Sequence, residues 1–346
     1  MNTAGERVVT VDKNDQRWVE YVDRHPDATH YHRLSWAELI RTEFRQSPHY
    51  LMAVSGDEVE GVLPLVRLNS RLFGHYMVSM PYLNYGGIIA DNNAARARLQ
   101  QAATELGREL GVTHIEYREQ ESDAGGMPVR TDKVSMILDL PASIDDLGKA
   151  IGSKRRSQVR RPLREDPEIR VGGAELVPLF YDVFARNMRD LGTPVYARSF
   201  YERMAAIFPN DVKIVAITVD GQPAAAAFLI GHREQLEIPW ASTVRDFNRI
   251  SINMLLYWEV LRFAIDAGYR RFDFGRSTVD AGTYRFKLQW GAEPKQLYWH
   301  YWLRDGGEPP KMNPDNPKYA RAIRMWQRLP IPVANLLGPR IIRNLP

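Results

Sequence analysis

The stretch VKIVAITVDGQPAAAAFLIGH, residues 212–232, holds two apolar runs on either side of Asp220-Gly221, and it reads as a β-hairpin turning at that pair. Working outward, QLEIPWAST (235–243) is a strand, SINMLLYWEVLRFAIDAG (251–268) a helix and RRFDFGR (270–276) a strand, with further strand character in QLYWHYWLR (296–304). Within helix 252–266 the only charged residues are Glu259, Arg262 and Asp266, spaced i, i+3, i+7, so one narrow stripe meets water and the rest is buried against a sheet. Ser251 is the expected N-cap and Gly268 the expected stop.

The first half shows the same order of elements. YLMAVSGDEVEGVLPLVRL (50–68) is a hairpin turning at Gly56-Asp57, YMVSMPYLNYGGIIA (76–90) is strand and loop, ARARLQQAATELGREL (95–110) is helical with a wider polar face, and THIEYRE (113–119) is a strand. Between the halves, residues 141–210 read as helical, with a boundary near Pro141 and a break at Gly192-Thr193-Pro194. After Arg304, DGGEPPKMNPDNP reads as a linker and KYARAIRMWQRL (318–329) as an amphipathic basic helix. Pro330, Pro332 and Pro339 are expected to stop regular structure after it. The expected fold class is therefore α+β (α/β): two similar domains, 1–140 and 141–305, each a mixed, mostly antiparallel sheet flanked by helices, followed by a basic tail, 306–346.

Composition agrees with two cores. The chain has 346 residues, 44% hydrophobic and 25% charged, which is globular and longer than one core usually supports. No apolar run approaches the roughly 20 residues of a membrane span, and the first thirty residues lack a signal-peptide core, so a cytoplasmic protein is expected. The absence of Cys excludes disulfides, thiol nucleophiles and Cys-ligated zinc. No HExxH or carboxylate cluster completes a metal site around His30 and His32, and there is no G-x-S-x-G, Walker A or Rossmann glycine pattern. The net charge of +4 is uneven: GSKRRSQVRRPLR (152–164) and the tail beyond residue 310 are strongly basic, which points to anionic partners.

Hairpin, strand, helix, strand is the layout of the Gcn5-related N-acetyltransferase (GNAT) fold, in which a glycine-rich turn at a helix N-terminus takes the pyrophosphate of coenzyme A. Here the corresponding turn is TVRDFNRISIN (243–253), and no Gly occurs between Gly231 and Gly268. Side chains at those positions impede close backbone approach. Together FDFGRS (272–277), GTYRFKLQWGAEPKQLYWHYW (282–302), SKRRSQVRRPL (153–163), FARNMRDLGTPVY (184–196) and PYLNYGG (81–87) resemble the FemAB family of tandem GNAT-like proteins. The tail WQRLPIPVANLLGPRIIRNLP (326–346) is similar to that of the FemAB subgroup tied to exosortase and PEP-CTERM exopolysaccharide systems. The resemblance implies transfer of an amino acid from aminoacyl-tRNA, without coenzyme A or another cofactor, to a cell-envelope or exopolysaccharide precursor that is nucleotide- or lipid-linked. The long helical hairpin inserted in some staphylococcal-type members is absent, because residues 174–211 are too few to hold it.

Lys287 matches the family's FK lysine, and the resemblance implies that it holds the donor's phosphate or the carbonyl oxygen of a tetrahedral intermediate. If 283–289 is helical, Thr283, Lys287 and Trp290 share one face, with Tyr284 beside them and Gly291 as the stop. Asp273, between Phe272 and Phe274, either takes a proton from the attacking amine or pairs with Arg276, the pairing being favoured. Arg276 and Ser277 end the strand where ligands bind. Lys154, Arg155, Arg156 and Arg160 crowd two helix faces and are candidates for diphosphate, sugar-phosphate or tRNA contact. Asn187 and Arg189, Asn84 and Tyr85, and Trp240 and Ser242 are further substrate-binding candidates. The arginines interleaved with Trp326, Leu336, Leu337, Ile341 and Ile342 leave the tail two options: packing on the body or peripheral contact with the inner face of the membrane through 318–346. Two other readings stay open: an acetyl-CoA-dependent N-acetyltransferase, and a non-enzymatic basic RNA- or membrane-binding protein.

Overall fold

The computed structural model describes residues 5–11, 14–70, 74–122, 125–310 and 317–345, with backbone alone for 317–319. Residues 311–316 of the linker expected at 305–317 lie outside the described residues. In chain order the strands are β1 (Glu6–Thr10), β2 (Ser47–Ser55), β3 (Glu58–Ser70), β4 (Gly74–Ser79), β5 (Ile89–Ala90), β6 (His114–Glu119), β7 (Val129–Arg130), β8 (Lys133–Asp139), β9 (Glu168–Gly172), β10 (Val212–Val219), β11 (Gln222–His232), β12 (Gln235–Thr243), β13 (Arg271–Thr278), β14 (Glu293–Gln296) and β15 (Tyr298–Leu303). The helices are α1 (Gln16–Arg24), α2 (Ser35–Leu39), α3 (Asn93–Glu109), α4 (Ile144–Arg160), α5 (Val177–Leu191), α6 (Arg198–Ile207), α7 (Ile252–Asp266), α8 (Gly282–Leu288), α9 (Pro317–Trp326) and α10 (Ile331–Ile342).

Two compact units form, Met1–Val134 with Gln296–Lys311 and Arg343–Pro346, and Ser135–Lys295 with Met312–Ile342. The first sheet runs β1-β2-β3-β4-β6-β15-β7, with β5 beside β3; the second runs β14-β8-β13-β12-β11-β10-β9. Most neighbours are antiparallel, so the mixed α/β architecture of two helix-flanked sheets is as the sequence implies. The division of the chain differs from one cut at 140 and another at 305. Strand β8, from the first half, sits inside the second sheet, and β15, from the second half, sits between β6 and β7 in the first. Both strands are buried on both faces in their middle, Val134–Met136 and Trp299–Tyr301, and the order of hairpin, helix and strand does not say which sheet receives them.

In the first unit Leu51, Leu63, Leu65, Met77, Ile115 and Tyr117 form a core against Ala95, Leu99 and Ala103 of α3. In the second unit Ala224–Ala227 of β11 are all fully buried, so both faces of that strand are covered, and these small side chains let α5 and α7 lie close to it. The hairpin turns at Asp220 and Gly221, both with positive φ, the two-residue turn that matches strand twist. Helix α7 has the limits expected. Leu255, Leu256, Val260 and Leu261 are buried, each contributing about 2 kcal/mol. Its start is not side-chain capped: Ser251 adopts the left-handed conformation (φ 64°) and its hydroxyl takes no helix N–H.

The segment expected to be helical from 141 to 210 also contains β9, an edge strand paired with β10, whose five residues are too short a run to stand out among the basic residues before it. Helix α4 breaks at Gly152 (φ 78°, ψ 169°). In the tail the prolines do not end regular structure. Pro332 occupies the first turn of α10, where no intrahelical N–H is needed, and Pro339 falls in its last turn. Both tail helices pack on the second unit: Arg189 Nη1 donates to Leu329 O (2.9 Å), Gln327 Nε2 donates to Asp190 O (3.1 Å), and Gly338 approaches the backbone of Val195. No helix is long and apolar enough to cross a membrane.

Candidate functional site

Each unit contains a parallel strand pair that parts after a few residues. In the second unit β12 and β13 pair only at Gln235–Arg271, Leu236–Phe272 and Glu237–Asp273. Pro239 follows, a residue with no N–H to give a ladder, and the register against β11 slips between Phe228 and Ile230, so β12 bulges where the two strands part. Beyond that point the facing strand edges carry backbone groups without ladder partners. The fork opens onto a cavity of about 190 Å3 lined by Asn187 of α5, Ala241, Ser242 and Thr243 of β12, Asn253, Leu256 and Tyr257 of α7, and Phe286 of α8.

The polar groups of this lining are positioned. Asn187 Nδ2 donates to Ser242 Oγ at 2.9 Å, which leaves the buried Ser242 hydroxyl its own proton to give. Tyr257 packs against Phe274, Phe286 and Trp290, and burial pushes its phenol up to about 12, so it stays protonated at neutral pH. No carboxylate or imidazole is among the lining residues. The lining is therefore suited to hold a neutral carbonyl-bearing group by hydrogen bonds.

Lys287 lies at the base of the neighbouring strand. Gly275 has φ 73°, and the resulting kink in β13 turns two carbonyls toward α8; Lys287 Nζ donates to Gly275 O (2.8 Å) and Arg276 O (3.1 Å). Burial pulls its ammonium down to about 8, against the carboxylates of Asp273 and Glu237, which hold it up. Asp273 is fully buried, and its Oδ1 accepts from Ser135 Oγ (2.6 Å) and Gly275 N (2.7 Å). Arg276 is exposed, and the buried Ser277 Oγ makes no hydrogen bond within the described residues. Helix α8 spans Gly282–Leu288 with Gly291 beyond it at φ 89°; Thr283 is exposed, Tyr284 half-buried, and Lys287 and Trp290 are buried.

The structure thus brings Asn187 and Ser242 together in one wall, and Lys287, Asp273, Arg276 and Ser277 along β13. The others lie elsewhere. Trp240 joins an aromatic cluster with Tyr196, Phe200, Tyr201 and Phe228. Arg189 is engaged with Asp190 and the tail carbonyl of Leu329. Arg155 and Arg156 fold back across the Gly152 break to Ile151 O (3.3 Å) and Gly148 O (2.6 Å), taking up carbonyls that the interrupted helix frees, while Lys154 and Arg160 are exposed. Asn253, Tyr257 and Phe286 were missed. Their signal was a polar residue and a phenol one turn apart at the start of α7, in a helix read only for its charged stripe.

In the first unit β4 and β6 part in the same way, paired only at Met77–Ile115 and Val78–Glu116. That fork is filled by its own chain. Arg118 is buried, donates to Glu116 Oε1 (2.7 Å) and Leu83 O (2.8 Å), and lies over the Trp299 ring; Tyr301 donates to Glu116 Oε2 (2.6 Å). Tyr85 is buried here, Asn84 is half-buried, and Gly86 N donates to Arg118 O (3.1 Å). Gly87 packs so tightly that a Cβ there would stand 2.3 Å from Glu119 Cγ. The glycine pair serves close packing, and the open fork is the one in the second unit. Among the described residues no group of three or more His, Asp or Glu is placed to hold a metal.

The family model for the acetyltransferase (GNAT) domain matches residues 153–288, which contain the open fork. Among solved structures, FemX superposes with a TM-score of 0.61 at 13% identity, over 84% of this chain and 96% of that one. L-PGS from Bacillus licheniformis gives 0.60 at 11% identity, over 93% and 99%. A tandem GNAT protein from the clavulanic acid biosynthesis pathway, solved without acetyl-CoA, gives 0.55 at 13%, over 88% and 100%. No curated protein sequence matches the chain. At these identities the likeness shows the fold, that of tandem GNAT proteins, and residues 153–288 match the acetyltransferase (GNAT) domain.

Proposed function

We propose that the chain transfers an aminoacyl group from a charged tRNA to an amine or hydroxyl of a nucleotide- or lipid-linked saccharide precursor of the cell envelope, with the acyl group held in the β12–β13 fork. The observation that carries the reading is the entry to α7. Where a coenzyme A pyrophosphate would need a glycine nest, the chain has a 3-10 turn over Arg245–Ile250 followed by left-handed Ser251, with a side chain at every position. The FemAB-like motifs of the sequence, the fold shared with FemX, and the basic residues around the fork's unit support the same donor. The acceptor class, including the exopolysaccharide precursors suggested by the tail, rests on sequence resemblance.

In this reaction the acceptor nucleophile attacks the ester carbonyl, the new C–N or C–O bond forms, and the C–O bond to the terminal ribose breaks. The proton lost by the acceptor goes to the departing ribose oxygen. Ser242 and the backbone N–H groups at the parted edge of β12 meet the carbonyl oxygen as charge develops there. Tyr257, kept protonated, relays that proton, giving its own to the leaving oxygen and taking up the one lost by the acceptor. Lys287 fixes the kinked end of β13 rather than meeting the donor through a free ammonium.

The test pairs calorimetry with acetyl-CoA and a transfer assay using tRNA charged with radiolabelled amino acids and a precursor extract. Label moving to the extract, with no heat from acetyl-CoA, is expected. Tight acetyl-CoA binding with acetyl transfer would replace this reading by the N-acetyltransferase one.

A further inference from the structure

We infer that the outward face of α9 and α10 is a docking surface for a bilayer bearing anionic phospholipid. The inference stands on the tail's own geometry and does not depend on the donor or acceptor proposed above.

Helix α10 is seated on its unit by small residues. Ala334 and Gly338, one turn apart, are buried, and a Cβ at Gly338 would come within 2.9 Å of the Val195 N and O atoms. At 100° per residue Leu336 and Val333 lie opposite this seat, with Leu337 and Ile341 continuing the apolar arc round one flank, and all four are exposed, Leu336 by 61%. A helix held only to complete a core would turn these large side chains inward and its small ones to water. Arg340 lies within the same arc and is exposed.

Helix α9 presents the complementary chemistry. Ile323 packs against Gly192, while Arg321, Arg324, Met325 and, just past the helix end, Arg328 recur at i, i+3, i+4, i+7 and are exposed, Met325 by 64%. From residue 316 to the end the sequence has six Lys or Arg and no Asp or Glu. A second protein chain would need an acidic surface to sit here. A bilayer with anionic headgroups meets both features at once: arginines at headgroup depth and a four-residue apolar arc dipping into the acyl boundary. Neither helix is long enough to cross, so the contact is interfacial.

The experiment is co-sedimentation of the full-length protein with phosphatidylcholine vesicles, with and without phosphatidylglycerol, alongside light scattering without lipid. Wild type is expected to sediment with the anionic vesicles and to be released by salt. The variant Arg321→Gln/Arg324→Gln/Arg328→Gln should lose about fivefold in partition for each arginine removed at low salt. Leu336→Ser/Leu337→Ser, exposed positions whose replacement leaves circular dichroism unchanged, should lower retention at every salt concentration. Equal sedimentation of wild type and both variants would overturn the inference, as would equal binding to neutral vesicles. A concentration-dependent dimer abolished by Leu336→Ser/Leu337→Ser, without vesicle binding, would assign the face to a second copy of this chain instead.

Discussion

Replacing Lys287 by Met tests whether a buried ammonium holds the kink of β13. The Nζ sits on the carbonyls of Gly275 and Arg276 with only 7% of the residue exposed, and burial brings it from 10.5 to about 8. That fall corresponds to about 3 kcal/mol between the charged and neutral forms. Below pH 8 the lysine is charged in both the folded and the unfolded chain, and the folded state bears the whole cost of burying the charge. Between pH 8 and 10.5 the unfolded chain binds more protons than the folded one, so stability rises with pH across that window. The wild type should therefore gain up to about 3 kcal/mol relative to Lys287→Met between pH 7 and pH 10.5, the many tyrosines cancelling in the difference. The assay is urea unfolding of both proteins at several pH values, with the lysine Cε resonance followed by NMR as a direct titration. At pH 7 the variant should still be the less stable, by about 1–3 kcal/mol, since it strands two buried carbonyls and removes the cation near the carboxylates of Asp273 and Glu237. A Cε resonance titrating near 10.5, with no pH-dependent gap between the two proteins, would refute the reasoning and return Lys287 to a solvated role.

Tyr257→Phe should keep the fold, since its ring contacts are hydrophobic, yet lower kcat about 100-fold with little change in KM, read from transfer kinetics. In the first unit burial drives Glu119 up to about 7, opposed by Arg96. Its folded form therefore binds the extra proton between pH 4.5 and 7, and wild-type stability relative to Glu119→Gln should fall as pH rises through that window, measured by urea unfolding. Gly192→Ala places a Cβ 2.4 Å from Ile323 Cγ2 at a residue with φ 80°. It should cost roughly 1–2 kcal/mol and expose the α9 segment to limited proteolysis faster than wild type.

Periodicity carried most of the fold. The two apolar runs about Asp220-Gly221 and the apolar surface of 252–266 are local signals, and both elements formed at the expected places. What stayed hidden depends on distant partners. The exchange of β8 and β15 between sheets leaves no local mark, because a short strand pairs with whichever edge is open to it. The proline-bearing α10 was unreadable for a related reason: Pro332 suits a first turn, and contacts of Gly338 and Ala334 hold a helix that propensity alone would not form. In the site, charge drew attention to Lys154, Arg155, Arg156 and Lys287. Three of these four side chains fold onto carbonyls of their own chain. The cavity itself is lined by quieter residues, Asn187, Ser242, Asn253 and Tyr257, whose meeting requires three separate elements to converge.

The two forks make the functional assignment firmer than either does alone. Parting a parallel strand pair leaves backbone donors and acceptors without ladder partners, a cost that a stable protein must offset by other hydrogen bonds or by water. The first unit offsets it internally: Arg118 takes Leu83 O, Gly86 N takes Arg118 O, Ile88 N finds Glu119 Oε1, and the segment 80–88 fills the gap. Among the described residues nothing comparable fills the second fork, where Asn187 and Ser242 pair with each other in one wall of a cavity that Tyr257 and Phe286 also line. The same strand geometry therefore appears once as packed scaffold and once as an open slot, inside the residues that match the acyltransferase domain. In the proposed reaction a ligand carbonyl in that slot would meet the N–H groups at the parted edge of β12, and this difference between the forks is what supports seating the acyl group in the second one.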